Sequence, residues 1–315
     1  ALFEYDVVGF QTAQDLQRFF DYVEREAQGS VDAGGRVRAY GREIRAAAFP
    51  IGIDVGHFRE LASAPRAQEQ VRALRQALNG RQQIIGVDRL DYSKGLLRRM
   101  DAFETLLERY PDMHGRVEFL QIAPVSRGEV KAYRDFRLQM EQHAARINGR
   151  FARIDWTPVR CLTRAQPRAT LAALYRASPI ALVTPVRDGM NLVAKEYVAA
   201  QDPADPGVLV LSRFAGAAQQ MQAALLVNPY DAAETAEALR RASVLPLDER
   251  RARHAELMRG LEGYDLARWR DEFTRQLAGP APGRRRGTPV ARRGHRARLP
   301  TATTENPSPS RHYRT

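Results

Sequence analysis

The sequence predicts an α/β fold built on a parallel sheet covered on both faces. Short apolar runs at residues 84–88, 117–122, 180–184, 207–211 and 224–228 recur along the chain, each followed by a loop and then a helical pattern. The runs are nearly unbroken rather than alternating, as strands buried on both sides are. Charged residues gather just beyond two of these runs, at the strand ends where open sheets of this kind bind ligands.

Residues 1–78 read differently from the rest of the chain. A strand is expected at 6–10, a helix at about 12–27, a turn at Gly34 and Gly35, and strands at 36–40 and 46–50. This pattern reads as the end of another domain. Because the chain opens at Ala1 without a methionine, a preceding part is expected to be absent. From residue 79 to 279 the five apolar runs pair with helices expected at about 98–109, 128–146, 191–201, 215–223 and 231–243. Residues 280–315 are rich in Gly, Pro, Ser, Thr and Arg without periodic apolar positions, the composition of a disordered tail.

With 315 residues and 44% hydrophobic content, the chain can bury a substantial core and length suggests two domains. Its longest apolar runs fall far below the roughly 18–20 residues a membrane-spanning helix needs. Residues 1–15 do not read as a signal peptide, and a cytoplasmic location is expected. The net charge is +12, but the tail holds nine arginines against one glutamate and supplies eight of those charges. The body is therefore only mildly basic. The tail reads as a solvated appendage rather than a nucleic-acid arm, although its arginine clusters could contact phosphates. Cys161, the single cysteine, reads as core filling, and the six histidines are scattered without ligand or triad spacing. No metal is expected.

Two stretches carry the chemistry, 88–95 (DRLDYSKG) and 187–196 (RDGMNLVAKE). Of 49 basic side chains only Lys94, Lys131 and Lys195 are lysines, and two of these fall inside the stretches. Lysine is not interchangeable with arginine where geometry matters. After the first apolar run, Arg89 and Lys94 flank a loop suited to a diphosphate, one as a planar fork and the other as a point charge. The competing reading pairs Arg89 with Asp88 or Asp91 and leaves Lys94 facing water.

In the second stretch Gly189 permits a tight backbone and Asn191 opens a helix whose first amides can hold phosphate or sugar oxygens. Asp188 and Glu196 lie eight positions apart. Eight helical residues rise about 12 Å, beyond the roughly 5–9.5 Å of a glycosidase acid and base pair. Two binding carboxylates are the better reading, with a helix cap the alternative for Asp188. Arg127, in APVSRGEV after the second apolar run, could clamp a second phosphate or pair with Glu129 or Glu104.

These residues resemble the trehalose-6-phosphate synthases of glycosyltransferase family 20. The likeness extends through VGFQT (8–12), FPIGID (49–54), QIAPVSRGEV (121–130), RINGRF (146–151), Trp156 to Val159, LVLSRFAGAA (209–218) and LLVNPYD (225–231), and spans about residues 5–277. The resemblance implies a glycosyltransferase B type of α/β fold: a complete C-terminal Rossmann-like domain at 79–279 with a closing helix, and the remnant of an acceptor-side domain at 1–78. It implies retaining transfer of glucose from UDP-glucose to glucose 6-phosphate, forming trehalose 6-phosphate and UDP, without a bound metal or other cofactor. Arg89 and Lys94 would hold the UDP diphosphate and Asp188 a donor-glucose hydroxyl. Met190, Asn191 and Leu192 would offer main-chain donors. Leu192, Val193, Ala194, Lys195 and Glu196 would line the donor site, with Glu196 on the ribose, and Arg127 would meet the phosphate of glucose 6-phosphate. The family's glycine loop and most of its acceptor pocket have no counterpart in these residues. The competing expectation is therefore a non-catalytic nucleotide-sugar-binding remnant that partners a complete synthase; a homo-oligomer is compatible with either.

Overall fold

The computed structural model describes residues 2–125 and 131–279. β1 (Val7–Phe10) leads to Thr12, whose hydroxyl accepts the Asp15 amide and starts α1 (Ala13–Arg25). β2 (Ser30–Val31), β3 (Arg36–Ala39) and β4 (Arg42–Ala48) follow, and the tight β3–β4 turn sets Tyr40 and Gly41 at φ of 52° and 72°. The sheet order is β1-β4-β3-β2, with β1 parallel to β4 and the other pairs antiparallel. Phe19 and Val23 of α1 close a small core over Val8, Val37 and Ile44.

α2 (Val55–Ser63) and α3 (Pro65–Leu78) precede the second sheet in sequence; α2 packs into the core of that sheet and α3 packs against α6. Eleven further elements follow: β5 (Gln82–Val87), α4 (Leu96–Arg109), β6 (Val117–Ile122), α5 (Lys131–Phe151), β7 (Val159–Leu162), α6 (Arg168–Ala177), β8 (Ile180–Val183), α7 (Leu192–Ala200), β9 (Val208–Ser212), β10 (Leu225–Val227) and α8 (Ala232–Val244). Two helices, α9 (Leu247–Gly263) and α10 (Leu266–Ala278), end the described chain.

The second sheet is parallel throughout, in the order β10-β9-β8-β5-β6-β7. Its two faces divide the apolar runs by alternation. Ile85, Val87, Leu120, Ile122, Ala181, Val183, Leu209 and Leu211 point to the side covered by α2, α6, α7 and α9. Ile84, Phe119, Ile180, Leu182, Val208 and Val210 point to the side covered by α4, α5 and α8. These strands are buried on both faces, which is why the runs read as continuous rather than alternating.

The structure corrects several expectations. Ahead of the expected division after residue 78, Ile53, Val55, Phe58 and Ala62 pack in the core that holds β5 and β8. The strand expected at 46–50 is Arg42–Ala48, its register fixed by pairing with both β1 and β3. In place of the helix expected at 215–223, the chain makes only a 3-10 turn, Gly216–Gln219. Its amides turn instead toward the neighbouring loop, Gly216 N–H to the Asp188 carbonyl and Ala217 N–H to that of Met190. The first residues of the helix expected at 128–146 lie outside the described residues, as does the tail from residue 280. β7 and α6 are additional to the expected elements; the run VRCL is interrupted by an arginine, which leaves β7 at the sheet edge with Arg160 reaching Glu118.

α10 carries the chain back to the first sheet. The Trp269 indole donates to the Phe49 carbonyl (3.1 Å), Phe273 meets Phe49 edge-on at 5.1 Å, and Leu266 N–H donates to the Ile53 carbonyl (3.1 Å).

Candidate functional site

Strand order reverses between β5 and β8: β6 and β7 continue on one side of β5, β8 and β9 on the other. At such a reversal the two loops that leave the strand ends diverge and open a crevice beyond them. Both sequence stretches leave from this point.

The loop after β5 is shaped by Asp91, whose carboxylate accepts the Ser93 amide (2.9 Å) and hydroxyl (2.8 Å). Burial alone would raise this carboxyl, but those two hydrogen bonds and the nearby Arg89 and Lys94 charges outweigh it and hold Asp91 below the ordinary carboxylate value. Gly95 sits at φ of 68°, and a Cβ there would lie 2.4 Å from the Thr184 carbonyl oxygen. That close approach lets the loops after β5 and β8 touch. Val186 N–H then donates to the Ser93 carbonyl (2.9 Å), joining them.

Across this junction Lys94 Nζ lies 2.5 Å from Asp188 Oδ2, with both side chains largely buried. The same carboxylate oxygen accepts from Asn191 Nδ2 (3.0 Å), while Asn191 Oδ1 accepts the Ala194 amide (3.1 Å). Asn191 is therefore the cap of α7, at φ of 81°, and Asp188 is not. With the Ala194 amide held by that cap, the amides of Leu192 and Val193 in the first turn have no carbonyl a turn earlier to accept them. They sit at the positive end of the helix dipole.

The residues expected to act together fall into distinct places. Lys94, Asp188 and Asn191 form one hydrogen-bonded cluster. Arg89 is exposed and makes no salt bridge among the described residues; Asp88 pairs instead with Arg99, and Lys94 does not simply face water. Met190 is buried, its carbonyl accepting from Ala217. Leu192 and Val193 are half-buried and Ala194 is buried. Lys195 points away from the cluster: its ammonium donates to the Ile51 carbonyl (2.7 Å) and Gln220 Oε1 (2.8 Å). Glu196, in the second turn of α7, is half-buried near Tyr175 and Arg168; burial pushes its carboxyl up while the Arg168 charge pulls it down. The Tyr175 hydroxyl is buried beside it without full hydrogen-bond geometry, and lies close enough to Asp88 to feel both carboxylates. Arg127 lies outside the described residues.

Arg99 is the residue sequence reasoning missed. It is fully buried, pairs with Asp88 (2.8 Å), and donates to Gln121 Oε1 (2.9 Å), Thr184 Oγ1 (3.2 Å) and the Lys94 carbonyl (3.3 Å). One guanidinium thus ties together the ends of β5, β6 and β8 beneath the Lys94 loop. Burial raises the Asp88 carboxyl, with Arg99 opposing. Gly86 makes the room, since a Cβ there would lie 2.6 Å from Arg99 Nη1. A signal did exist: Arg99 falls three after Leu96 and four before Phe103, inside the apolar stripe of α4.

Among the described residues no group of three or more His, Cys, Asp and Glu gathers to hold a metal ion. The segment after β1 comes close to these loops, with Gln11 beside Gly189 and Thr12 beside Gly216.

Comparison with known proteins places this arrangement. The sequence profile of glycosyltransferase family 20 matches residues 1–279. The chain belongs to that family. Trehalose-6-phosphate synthase of Sinorhizobium fredii is 49% identical over 276 residues, covering 88% of this chain and 60% of that protein. The enzyme of Cronobacter sakazakii is 47% identical over 281 residues, covering 89% and 59%. A crystal structure of the UDP-forming α,α-trehalose-phosphate synthase from Burkholderia xenovorans, in complex with glucose 6-phosphate, superposes with a TM-score of 0.86 at 52% identity, covering 88% of this chain and 61% of that one. An E. coli structure bound with UDP-2-fluoro glucose gives a TM-score of 0.87 at 45% identity, covering 90% and 62%. The family 20 chain thus has the glycosyltransferase B type of α/β fold and spans about 60% of the length of these relatives.

Proposed function

We propose that this family 20 chain carries the donor site of a UDP-forming trehalose-6-phosphate synthase, transferring glucose from UDP-glucose to glucose 6-phosphate with retention. The observation that supports the reading best is the Lys94–Asp188 pair at the strand-order reversal, beside the free first-turn amides of α7. An ammonium has three donors, so Lys94 can hold Asp188 and still meet a diphosphate oxygen. Arg89, exposed at the rim, adds a second cation for the same diphosphate. As the glycosidic bond breaks, negative charge grows on the departing UDP, and fixed cations aimed at that charge lower the barrier without forming a covalent bond to the protein.

Asp188 accepts a donor-glucose hydroxyl, and its orientation is fixed by Asn191. The amides of Leu192 and Val193 meet phosphate oxygens at the helix start. Glu196 takes the ribose, and Arg127 the phosphate of glucose 6-phosphate. The leaving phosphate assists attack from the same face, which retains the anomeric configuration. No helix among the described residues is long and apolar enough to cross a membrane, and the reading places the protein in the cytoplasm. Saturating UDP is expected to raise the melting temperature, and the double substitution of Arg89 and Lys94 by alanine to abolish that rise. No rise with UDP or UDP-glucose in the unsubstituted chain sinks the proposal. UDP release that requires both UDP-glucose and glucose 6-phosphate separates a working transferase from a donor-binding partner of one.

A further inference from the structure

At the opposite end of the six-stranded sheet a cavity of about 330 Å³ opens among residues that lead into the strands. Gly80 and Gln82 border it at the start of β5, Pro179 before β8 and Gly207 before β9. The six residues of β5 span roughly 20 Å, so this cavity and the Lys94–Asp188 cluster lie at different ends of the same sheet.

Its lining is strongly cationic. Arg75 from α3, Arg81 before β5, Arg176 from α6 and Arg250 from α9 converge on it, and among the described residues Asp205 is the only carboxylate lining it. Two of the four have close counterions: Arg250 donates to Asp205 Oδ1 (2.8 Å), and Arg176 lies 3.2 Å from Asp202. The other two do not. Arg81 donates through Nη1 to the Asp155 carbonyl (2.9 Å), a neutral partner, and comes no nearer than 3.9 Å to Glu118, a carboxylate that Arg160 already holds at 2.5 Å. Its Nε is buried with no hydrogen-bond partner. Arg75 is exposed and makes no salt bridge among the described residues, although Asp202 is near enough to feel its charge. A neighbouring cavity of about 70 Å³, sharing Gly80, Gln82 and Ser243 with the first, adds Arg116 and Arg240. Arg240 is paired with Asp112 at 2.9 Å.

Several arginines around a half-open space suit an anion with several oxygens, because each planar fork can offer two parallel donors. The volume is at the lower end of small-molecule pockets, which run from about 300 Å³ upward. We propose that this cavity is a second anion site, separate from the donor crevice, that takes a phosphate group, either free or as a small phosphate monoester.

The test is calorimetric titration of the folded chain, at constant ionic strength, with inorganic phosphate and with glycerol 3-phosphate, sodium chloride serving as the blank. Saturable binding is expected, weakened at least tenfold in Arg75→Glu and less in Arg75→Gln. Tighter binding of glycerol 3-phosphate assigns a carbon body to the cavity, and equal binding assigns free phosphate. Arg89→Glu separates the sites: it should leave this binding intact, whatever becomes of the UDP response. Heats that follow ionic strength alone, binding lost in Arg89→Glu but kept in Arg75→Glu, or no binding overturns the proposal. Arg75 is exposed, so its variants fold, and their unchanged melting temperatures without ligand verify it.

Discussion

The Lys94 ammonium and the Asp188 carboxylate meet at 2.5 Å across the place where strand order reverses, joining the loop after β5 to the loop after β8. Each loop is also shaped from within, by Asp91 on one side and Asn191 on the other. The pair therefore closes a junction whose two halves are already set, and its removal should affect ligand binding more than folding.

Lys94→Ala leaves the largely buried Asp188 carboxylate held, among the described residues, only by Asn191. An uncompensated partner of this kind costs about 1–3 kcal/mol, read as a lower urea midpoint. Lys94→Met combined with Asp188→Asn removes both charges and should recover most of that loss. The UDP response should stay absent in both variants. Strictly additive midpoints across the cycle would show that the two side chains do not interact.

Arg99→Leu should be more damaging than any substitution in the Lys94 loop. It strands the Asp88 carboxylate, which is buried, and removes donors from Gln121 and Thr184 at the ends of two more strands. Breaking one partner of a buried pair costs about 3–5 kcal/mol. Replacing Asp88 by Asn at the same time should return part of it. Chemical denaturation measures both, and a loss below about 1 kcal/mol would contradict the role given to Arg99.

Gly95→Ala tests the contact between the two loops. At φ of 68° an alanine carries left-handed backbone strain of about 1–2 kcal/mol, and its Cβ would press on the Thr184 carbonyl at 2.4 Å. Backbone cannot yield as a flexible side chain does, so the loop must shift. The expected result is lost stability together with a weakened UDP response. Gly41→Ala has a similar φ of 72° but nothing within 4 Å, so it should cost strain alone and leave UDP binding unchanged.

Much of this was legible beforehand because parallel strands announce themselves. The runs that became β5, β6, β8, β9 and β10 are apolar on both faces, and their ends fell within two residues of expectation. The edge strand β7 was not legible, since Arg160 interrupts its apolar character. Nor was the packing of α2 into the second sheet's core and of α3 on α6, since their amphipathic pattern specifies a buried face without naming what covers it. In the site, Lys94, Asp188 and Asn191 stood out as polar residues after strands. Arg99 did not, because a charged residue in an apolar helix stripe gives no sign of which distant carboxylate it serves. Lys195 shares the segment of the expected donor residues, but its ammonium turns to the Ile51 carbonyl and Gln220. A helix turns about 100° per residue, so adjacent positions face different ways.

Lys195 gives the last prediction. Its ammonium is buried between the Ile51 carbonyl and Gln220 Oε1, joining α7 to the segment that leads from the first sheet to the second. Burial pushes it down from an ordinary value of 10.5 to about 8. Between those two pH values the unfolded chain binds more protons than the folded one, so stability rises with pH through that window. A tenfold change in proton affinity corresponds to about 1.4 kcal/mol, while the two hydrogen bonds favour the charged form and reduce the effect. A net rise of about 1–3 kcal/mol between pH 8 and pH 10.5 is expected relative to Lys195→Met, whose side chain has no proton to lose. Urea midpoints of both proteins across that range measure the difference, which cancels other titrating groups common to the two. Parallel curves would mean that Lys195 keeps its ordinary affinity for a proton despite its burial, and that its two carbonyl partners fully offset the loss of water.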